Sequence, residues 1–170
     1  MSTSKRILIL DKEHIQKKTT RIAYQILEDN FDEQELVLAG IADRGYIFAQ
    51  RLKAVLEQIS SFSIILIKIT LDKEGPSLDA TTDIPVTASA DKVVILVDDV
   101  LNSGRALSYG LGVFLNVPLK KMRTAVLIDR SHHKFPVFSD FSGLRLSTVL
   151  KEHVTVSLTE LDGSDGAWLS

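Results

Sequence analysis

Residues 93–109 read Val-Val-Ile-Leu-Val-Asp98-Asp99-Val-Leu-Asn102-Ser103-Gly104-Arg105-Ala106-Leu-Ser-Tyr. A continuous apolar run meets two adjacent acids and passes through a small polar turn into a helical pattern. A β-branched run bounded by turn residues is the pattern of a strand buried on both faces of a parallel sheet, and such sheets bind ligands at the carboxyl ends of their strands. The pattern places Asp98 and Asp99 at that end. Ser103 and Gly104 then allow a tight turn that aims amides and a hydroxyl at an anion, helped by the partial positive charge at the start of the next helix. Helix capping accounts for one of the acids but not for both, because paired like charges are costly unless hydroxyls, cations or water separate them.

The rest of the chain alternates as a doubly wound α/β sheet requires. Residues 12–29 carry Ile15, Thr19, Ile22 and Ile26 at helical spacing, and Glu35 to Ile41 reads as a buried strand. Tyr46 to Ile59 is a second amphipathic helix, and Phe62 to Leu71 a further strand. Strand 93–97, helix 104–116 and strand 123–128 complete the second wind. Residues 137–150 read as irregular, and Val154, Val156 and Leu158 alternate with polar residues as a half-exposed strand does. Asp72 to Asp91 is long and polar for a connection, the pattern of either a disordered segment or an active-site lid.

At 170 residues, 45% of them apolar, the chain fits one domain spanning 1–170 with a proper core. A net charge of -2 gives no global attraction to nucleic acid, so RNA binding would need a local basic face. With no cysteine there are no disulfides or thiolate metal sites, which agrees with a reducing cytoplasm. The apolar runs are too short to span a bilayer. No segment supplies the Walker pattern, and Gly110-Leu-Gly112 lacks the third glycine of a dinucleotide fingerprint and lies in a helical pattern.

Val94 to Ala106 resembles the phosphoribosyl pyrophosphate (PRPP) signature of type I phosphoribosyltransferases. Within that family, Asp98-Asp99-Val-Leu-Asn-Ser-Gly-Arg is similar to the form in bacterial pyrimidine-operon attenuator proteins, which join uracil phosphoribosyltransferase activity to messenger RNA binding. Thr20-Arg21-Ile-Ala, Gly40-Ile-Ala-Asp-Arg44-Gly45, Val126-Leu-Ile-Asp129-Arg130-Ser-His132 with Pro136, Asp140-Phe-Ser-Gly143 and the pattern from Val154 to Asp162 extend the resemblance along most of the chain. It implies a mainly parallel sheet with a flexible lid and a small C-terminal hood.

The resemblance also implies roles. Asp98 and Asp99 hold the ribose hydroxyls, and Val100, Leu101, Asn102, Ser103, Gly104, Arg105 and Ala106 enclose the 5-phosphate. Ala42, Asp43, Arg44 and Gly45 form the pyrophosphate loop, with Arg44 as a planar fork for the leaving group. A cation at a helix start is unfavourable unless an anion is near, which supports that role. Lys73 falls near the family's loop arginine and joins the catalytic set. Gly143, Leu144, Arg145 and Leu146 are the base-binding candidates, although Leu144 departs from the family's Lys. Mg²⁺ is implied with PRPP, with Asp129 as a further candidate ligand. Thr20, Arg21, His132 and His133 are the candidate RNA contacts, with Tyr24 standing where the family has His. Ala106 replaces a threonine that normally donates to the phosphate. A homo-oligomer in the cytoplasm is implied as well.

The residues leave three functions open. One is a uracil phosphoribosyltransferase that also regulates a pyrimidine operon. Another is an RNA-binding attenuator or nucleotide sensor with weak or no catalysis. The third is a purine-base enzyme, against which Asn102 stands, because the hypoxanthine type carries a proton-handling acid at that position.

Overall fold

The computed structural model describes residues 5–72, 74, 75, 77–149 and 152–170. Its centre is a six-stranded sheet in the order β4-β3-β2-β5-β6-β7. The strands are β2 (Glu35–Ile41), β3 (Ser63–Leu71), β4 (Ala80–Thr82), β5 (Val93–Leu101), β6 (Lys121–Asp129) and β7 (Phe141–Arg145). All neighbours pair in parallel except β3 and β4. The doubly wound α/β architecture is therefore as the sequence pattern implies.

Side chains alternate across the sheet. Leu36, Leu38, Val93, Ile95 and Leu127 face helices α1 (Lys12–Asp29) and α2 (Arg44–Ile59), meeting Ile22, Ile26, Phe48 and Leu52. Val37, Ala39, Val94, Leu96 and Val126 face the other way, against Leu107 of α3 (Arg105–Gly112) and Phe114. Because both faces are covered, the strand sequences are continuously apolar. Helix α1 begins where its N-cap Asp11 accepts from the His14 amide at 2.8 Å.

Several elements differ from the sequence expectation. Residues 137–150 include strand β7, which Ser142 and Gly143 conceal as a low-propensity run and which pairing with β6 holds in place, Ala125 opposite Phe141 and Asp129 opposite Arg145. The polar connection after β3 folds back as β4 and a 3₁₀ turn at Val86–Ser89. Helix α3 stops at Gly112, short of residue 116. The hood is built from both chain ends. Strands β1 (Ile7–Leu10), β9 (Gly166–Leu169) and β8 (Val154–Ser157) form a small antiparallel sheet, with a single turn α4 (Thr159–Asp162) between β8 and β9. No described helix is long and apolar enough to cross a membrane.

Arg51 of α2 fastens this hood. Its guanidinium donates to Glu160 Oε1 at 2.9 Å and to both Asp165 oxygens at 2.8 Å, with only 17% of the Arg51 side chain and 6% of Asp165 exposed. The Arg51 hydrogen bond leads the causes that bring the Asp165 carboxyl down from 3.8 to about 2. A carboxyl depressed in the folded state adds stability above its unfolded pKa and loses it as pH falls through the folded value. Arg51→Ala should cost about 3 kcal/mol in chemical denaturation, because the buried Asp165 carboxylate loses its cation and keeps only the Thr159 donors. The difference in Tm between the wild type and Asp165→Asn should shrink as pH falls from about 4 to about 2.

Candidate active site

Pairing of β2 with β5 runs from Leu36 opposite Val93 to Gly40 opposite Val97 and stops there, while pairing of β5 with β6 continues to Leu101 opposite Asp129. Beyond Val97 the strand therefore has an open flank, and the acids lie along it. Strand β5 thus passes through Asp98 and Asp99 instead of ending before them. Asp98 is 8% exposed, and its Oδ1 accepts from the Asp99 amide at 2.9 Å. The first turn of α2 presses against this flank. A Cβ on Gly45 would lie 2.8 Å from both Asp98 Oδ1 and the Val97 carbonyl oxygen, so only glycine permits the approach.

The turn after β5 is fixed just as closely. Gly104 has φ +87°, and a Cβ there would meet Val137 Cγ2 at 2.5 Å. The Ser103 carbonyl accepts from the amides of Lys134 and Phe135 at 2.7 and 3.0 Å, tying the turn to the loop after β6. Ser103 Oγ accepts from the Arg105 amide at 3.3 Å. Helix α3 starts here.

Between these turns lies a cavity of about 510 Å³. One side is Ile41, Ala42, Asp43 and Arg44, where the Ala42–Asp43 peptide is cis and α2 begins. The other is the run from Val100 to Ala106, and Asp98 and Asp99 lie between them. The structure thus gathers the Asp98 and Asp99 pair and both expected loops, with Gly45 packed beneath. Leu71, Gly75 and Leu78 add a wall from the β3–β4 connection. Lys73 lies outside the described residues.

Other expected site residues are placed differently. Gly143, Leu144, Arg145 and Leu146 lie on or just after β7 and are not among the residues lining the cavity. Gly143 serves packing, since a Cβ would sit 2.5 Å from the Leu127 carbonyl oxygen. Arg145 Nη2 donates to the Ser139 carbonyl at 3.1 Å. Asp129 is 3% exposed and accepts from the Ser131 amide and the Ser139 hydroxyl, with His133 Nε2 2.9 Å away. Burial pushes its carboxyl up, but these bonds outweigh burial and hold it below the ordinary value. Asp129 is thus engaged within the chain through both oxygens, and no group of three or more metal-type ligands occurs among the described residues.

The RNA candidates also have partners within the chain. Arg21 Nη2 donates to the carbonyls of Ser142 and Gly143 at 2.9 and 2.6 Å. Thr20 Oγ1 accepts from Gln16, and His132 Nε2 contacts the Thr148 carbonyl.

Sequence reasoning missed Asp162. Arg44 Nη2 and Nε reach its two oxygens at 2.7 and 3.3 Å, so the anion that a cation at a helix start requires comes from the hood. The Arg44 hydrogen bond holds the Asp162 carboxyl below its usual range. Thr148, which accepts from Arg130 Nε at 3.0 Å, was missed as well. Only the spacing of Arg44 and Arg51, two turns apart on one helix, could have signalled a common acidic partner.

The phosphoribosyl transferase domain family matches residues 8–160. The chain is 36% identical over 165 residues to bifunctional protein PyrR 2 of Lactiplantibacillus plantarum, covering 93% of this chain and 95% of that one. It is 37% identical over 166 residues to bifunctional protein PyrR of Fusobacterium nucleatum, covering 93% and 94%. Among solved structures, a hypoxanthine-guanine phosphoribosyltransferase from Bacillus anthracis superposes with TM-score 0.74 at 19% identity, over 98% of this chain and 100% of that one. The hypoxanthine phosphoribosyltransferase of Trypanosoma cruzi gives 0.77 at 14%, over 96% and 95%. These two share the fold. Matched over most of its length by both comparisons of sequence, the chain belongs to the phosphoribosyl transferase domain family, on the branch of the proteins named PyrR.

Proposed function

We propose that the protein transfers ribose 5-phosphate from PRPP to uracil, releasing pyrophosphate, and that pyrimidine-operon leader RNA is its second ligand. One observation carries the transferase reading: a single cavity holds two helix N-termini, those of α2 and α3, with two acids between them. Each N-terminus favours an anion, and carboxylates accept from hydroxyls. PRPP has this layout, a diol flanked by a phosphate and a diphosphate.

In this reading the bond from C1 to the diphosphate oxygen breaks as the base nitrogen bonds to C1, and the proton that this nitrogen carried passes to water or to the departing diphosphate. The sugar ring gains positive charge and the leaving group negative charge. Asp98 and Asp99 bind the ribose hydroxyls beneath the ring and favour its positive charge. Arg44 and the amides at the start of α2 receive the diphosphate, and Ser103 with the amides of residues 103–106 receives the 5-phosphate. The wall of Leu71, Gly75 and Leu78 limits water at the sugar. Hard carboxylate oxygens beside a cationic fork suit a diphosphate that arrives with Mg²⁺, which would neutralise charge on the leaving group. Uracil is preferred to a purine because Asn102 replaces the acid that would handle a purine proton. RNA binding rests on the resemblance to pyrimidine-operon attenuator proteins, on membership of the branch whose members are called bifunctional, and on the flank of α1 at Thr20 and the exposed Arg21. Self-association belongs to the same reading, with the exposed Phe31, Leu115 and Phe138 offering apolar surface.

Pyrophosphate release from PRPP and Mg²⁺, compared across uracil, hypoxanthine, guanine and orotate, tests the transferase. Release with uracil should exceed that with every other base, and Asp98→Asn with Asp99→Asn should lower it by about 100-fold or more. Release with a purine overturns the choice of base. Binding of PRPP without turnover leaves a sensor. Asp162→Asn should tighten PRPP binding about two- to fivefold in calorimetry, since Arg44 no longer has to leave an exposed ion pair. Affinity for pyrimidine leader RNA should fall as salt rises and weaken in Arg21→Ala, whereas binding that is indifferent to both removes the regulatory half.

A further inference from the structure

Arg130 follows β6 and is 8% exposed. Its guanidinium donates from Nε to Thr148 Oγ1 at 3.0 Å and from Nη1 to Asn102 Oδ1 at 3.3 Å, and both acceptors are uncharged. A buried cation ordinarily takes a carboxylate partner, so this arrangement needs another reason. Its effect on Asn102 supplies one. Arg has donors only, which fixes the amide: the oxygen faces Arg130 and the –NH₂ is turned away from it. That –NH₂ has no acceptor among the described residues, and Asn102 is exposed and lines the cavity.

The place of Asn102 along the sheet tells which part of a substrate this donor meets. In the order β2-β5-β6-β7, the start of α2 follows β2 and is the diphosphate end, while Asn102 follows β5 and reaches toward β6 through Arg130. Displacement at C1 is in line, so the base must enter from the side away from the leaving group. That is the β6 side.

Resting on the proposed transferase reading, we infer that Asn102 Nδ2 donates a hydrogen bond to a carbonyl oxygen of the nucleobase, and that Arg130 is the positioning residue that turns the amide. A uracil ring has two such carbonyls, and a site built around a fixed donor disfavours a base that presents none there. An aspartate at the same position would pair with Arg130 and offer the base only acceptors. Asparagine here therefore does more than lack an acid.

The test compares binding of UMP and ribose 5-phosphate to the full chain by calorimetry, because the two share the ribose phosphate and differ at C1, where one carries uracil and the other a hydroxyl. Wild type should bind UMP more tightly than ribose 5-phosphate. Asn102→Ala and Asn102→Asp should each lower UMP affinity at least about fivefold while ribose 5-phosphate affinity stays within about twofold. Arg130→Lys, which keeps the charge but not the two-pronged reach, should shift UMP alone in the same direction. Unchanged UMP affinity in both Asn102 variants overturns the inference and leaves the transferase reading intact. Equal losses for both ligands in Arg130→Lys make that residue a support of the turn only, and overturn its positioning role. If wild type binds the two ligands equally, no base is seated, and the inference falls together with the choice of uracil.

Discussion

The site depends on one mismatch of strand length. Strand β5 runs four residues, Asp98 to Leu101, beyond its last pair with β2, while β6 keeps pace with it to Asp129. Had β2 continued, it would have paired with that flank and the acids would be sealed in the sheet. Instead the chain leaves β2 at Ile41, turns through Ala42 and Asp43, and lays the first turn of α2 against the exposed edge. A parallel strand buried on both faces is rigid, so the acids are carried by the stiffest part of the fold. The turns on either side, to which the proposed reaction gives the phosphate and the diphosphate, are then set at a fixed span by the spacing of neighbouring strands.

How far the sequence reveals this depends on how local the determinants are. Strands β2 and β5, helices α1 and α2, and the turn at Ser103 and Gly104 are written in continuous stretches, and each was legible from periodicity or turn chemistry. The pair Asp98 and Asp99 was legible for the same reason, although the strand was expected to end before them. Strands β1 and β9 were not, because each has four residues and gains its stability from the other across the chain, Ile7 opposite Leu169. Strand β7 hid behind Ser142 and Gly143. The glycine suggested a ligand loop, whereas its missing Cβ makes room for the Leu127 carbonyl and the Lys18 stem.

Side-chain roles were harder to foresee than elements, since a partner decides them. Asp129 and Arg130 are adjacent and invite reading as an ion pair, yet neither bonds to the other. Asp129 turns to Ser131, Ser139 and His133, and Arg130 to Thr148 and Asn102. Arg21 likewise looks like a free basic group on a surface helix, but its Nη2 closes onto two carbonyls of β7. The partners of Asp129 lie in the loop that follows it, whereas Arg130 with Asn102 and Arg21 with β7 pair across elements that only the sheet order brings together.

The same reasoning explains why the hood bears on the chemistry. Arg44 and Arg51 are seven residues apart, two helical turns, and so project from nearly the same face of α2. The hood meets that stripe with Asp162 at one end and Glu160 with Asp165 at the other. The inner pair, around Arg51, is largely shielded from water and makes four hydrogen bonds, so it acts as a hinge-pin. The outer pair is partly open, with 41% of the Arg44 side chain exposed, and Arg44 also faces the cavity. An exposed pair contributes little net stability and yields readily to a ligand of higher charge. In the proposed reaction a diphosphate arriving at the start of α2 would meet an arginine already extended and oriented, and the hood would stay anchored through Arg51 while Asp162 gave way.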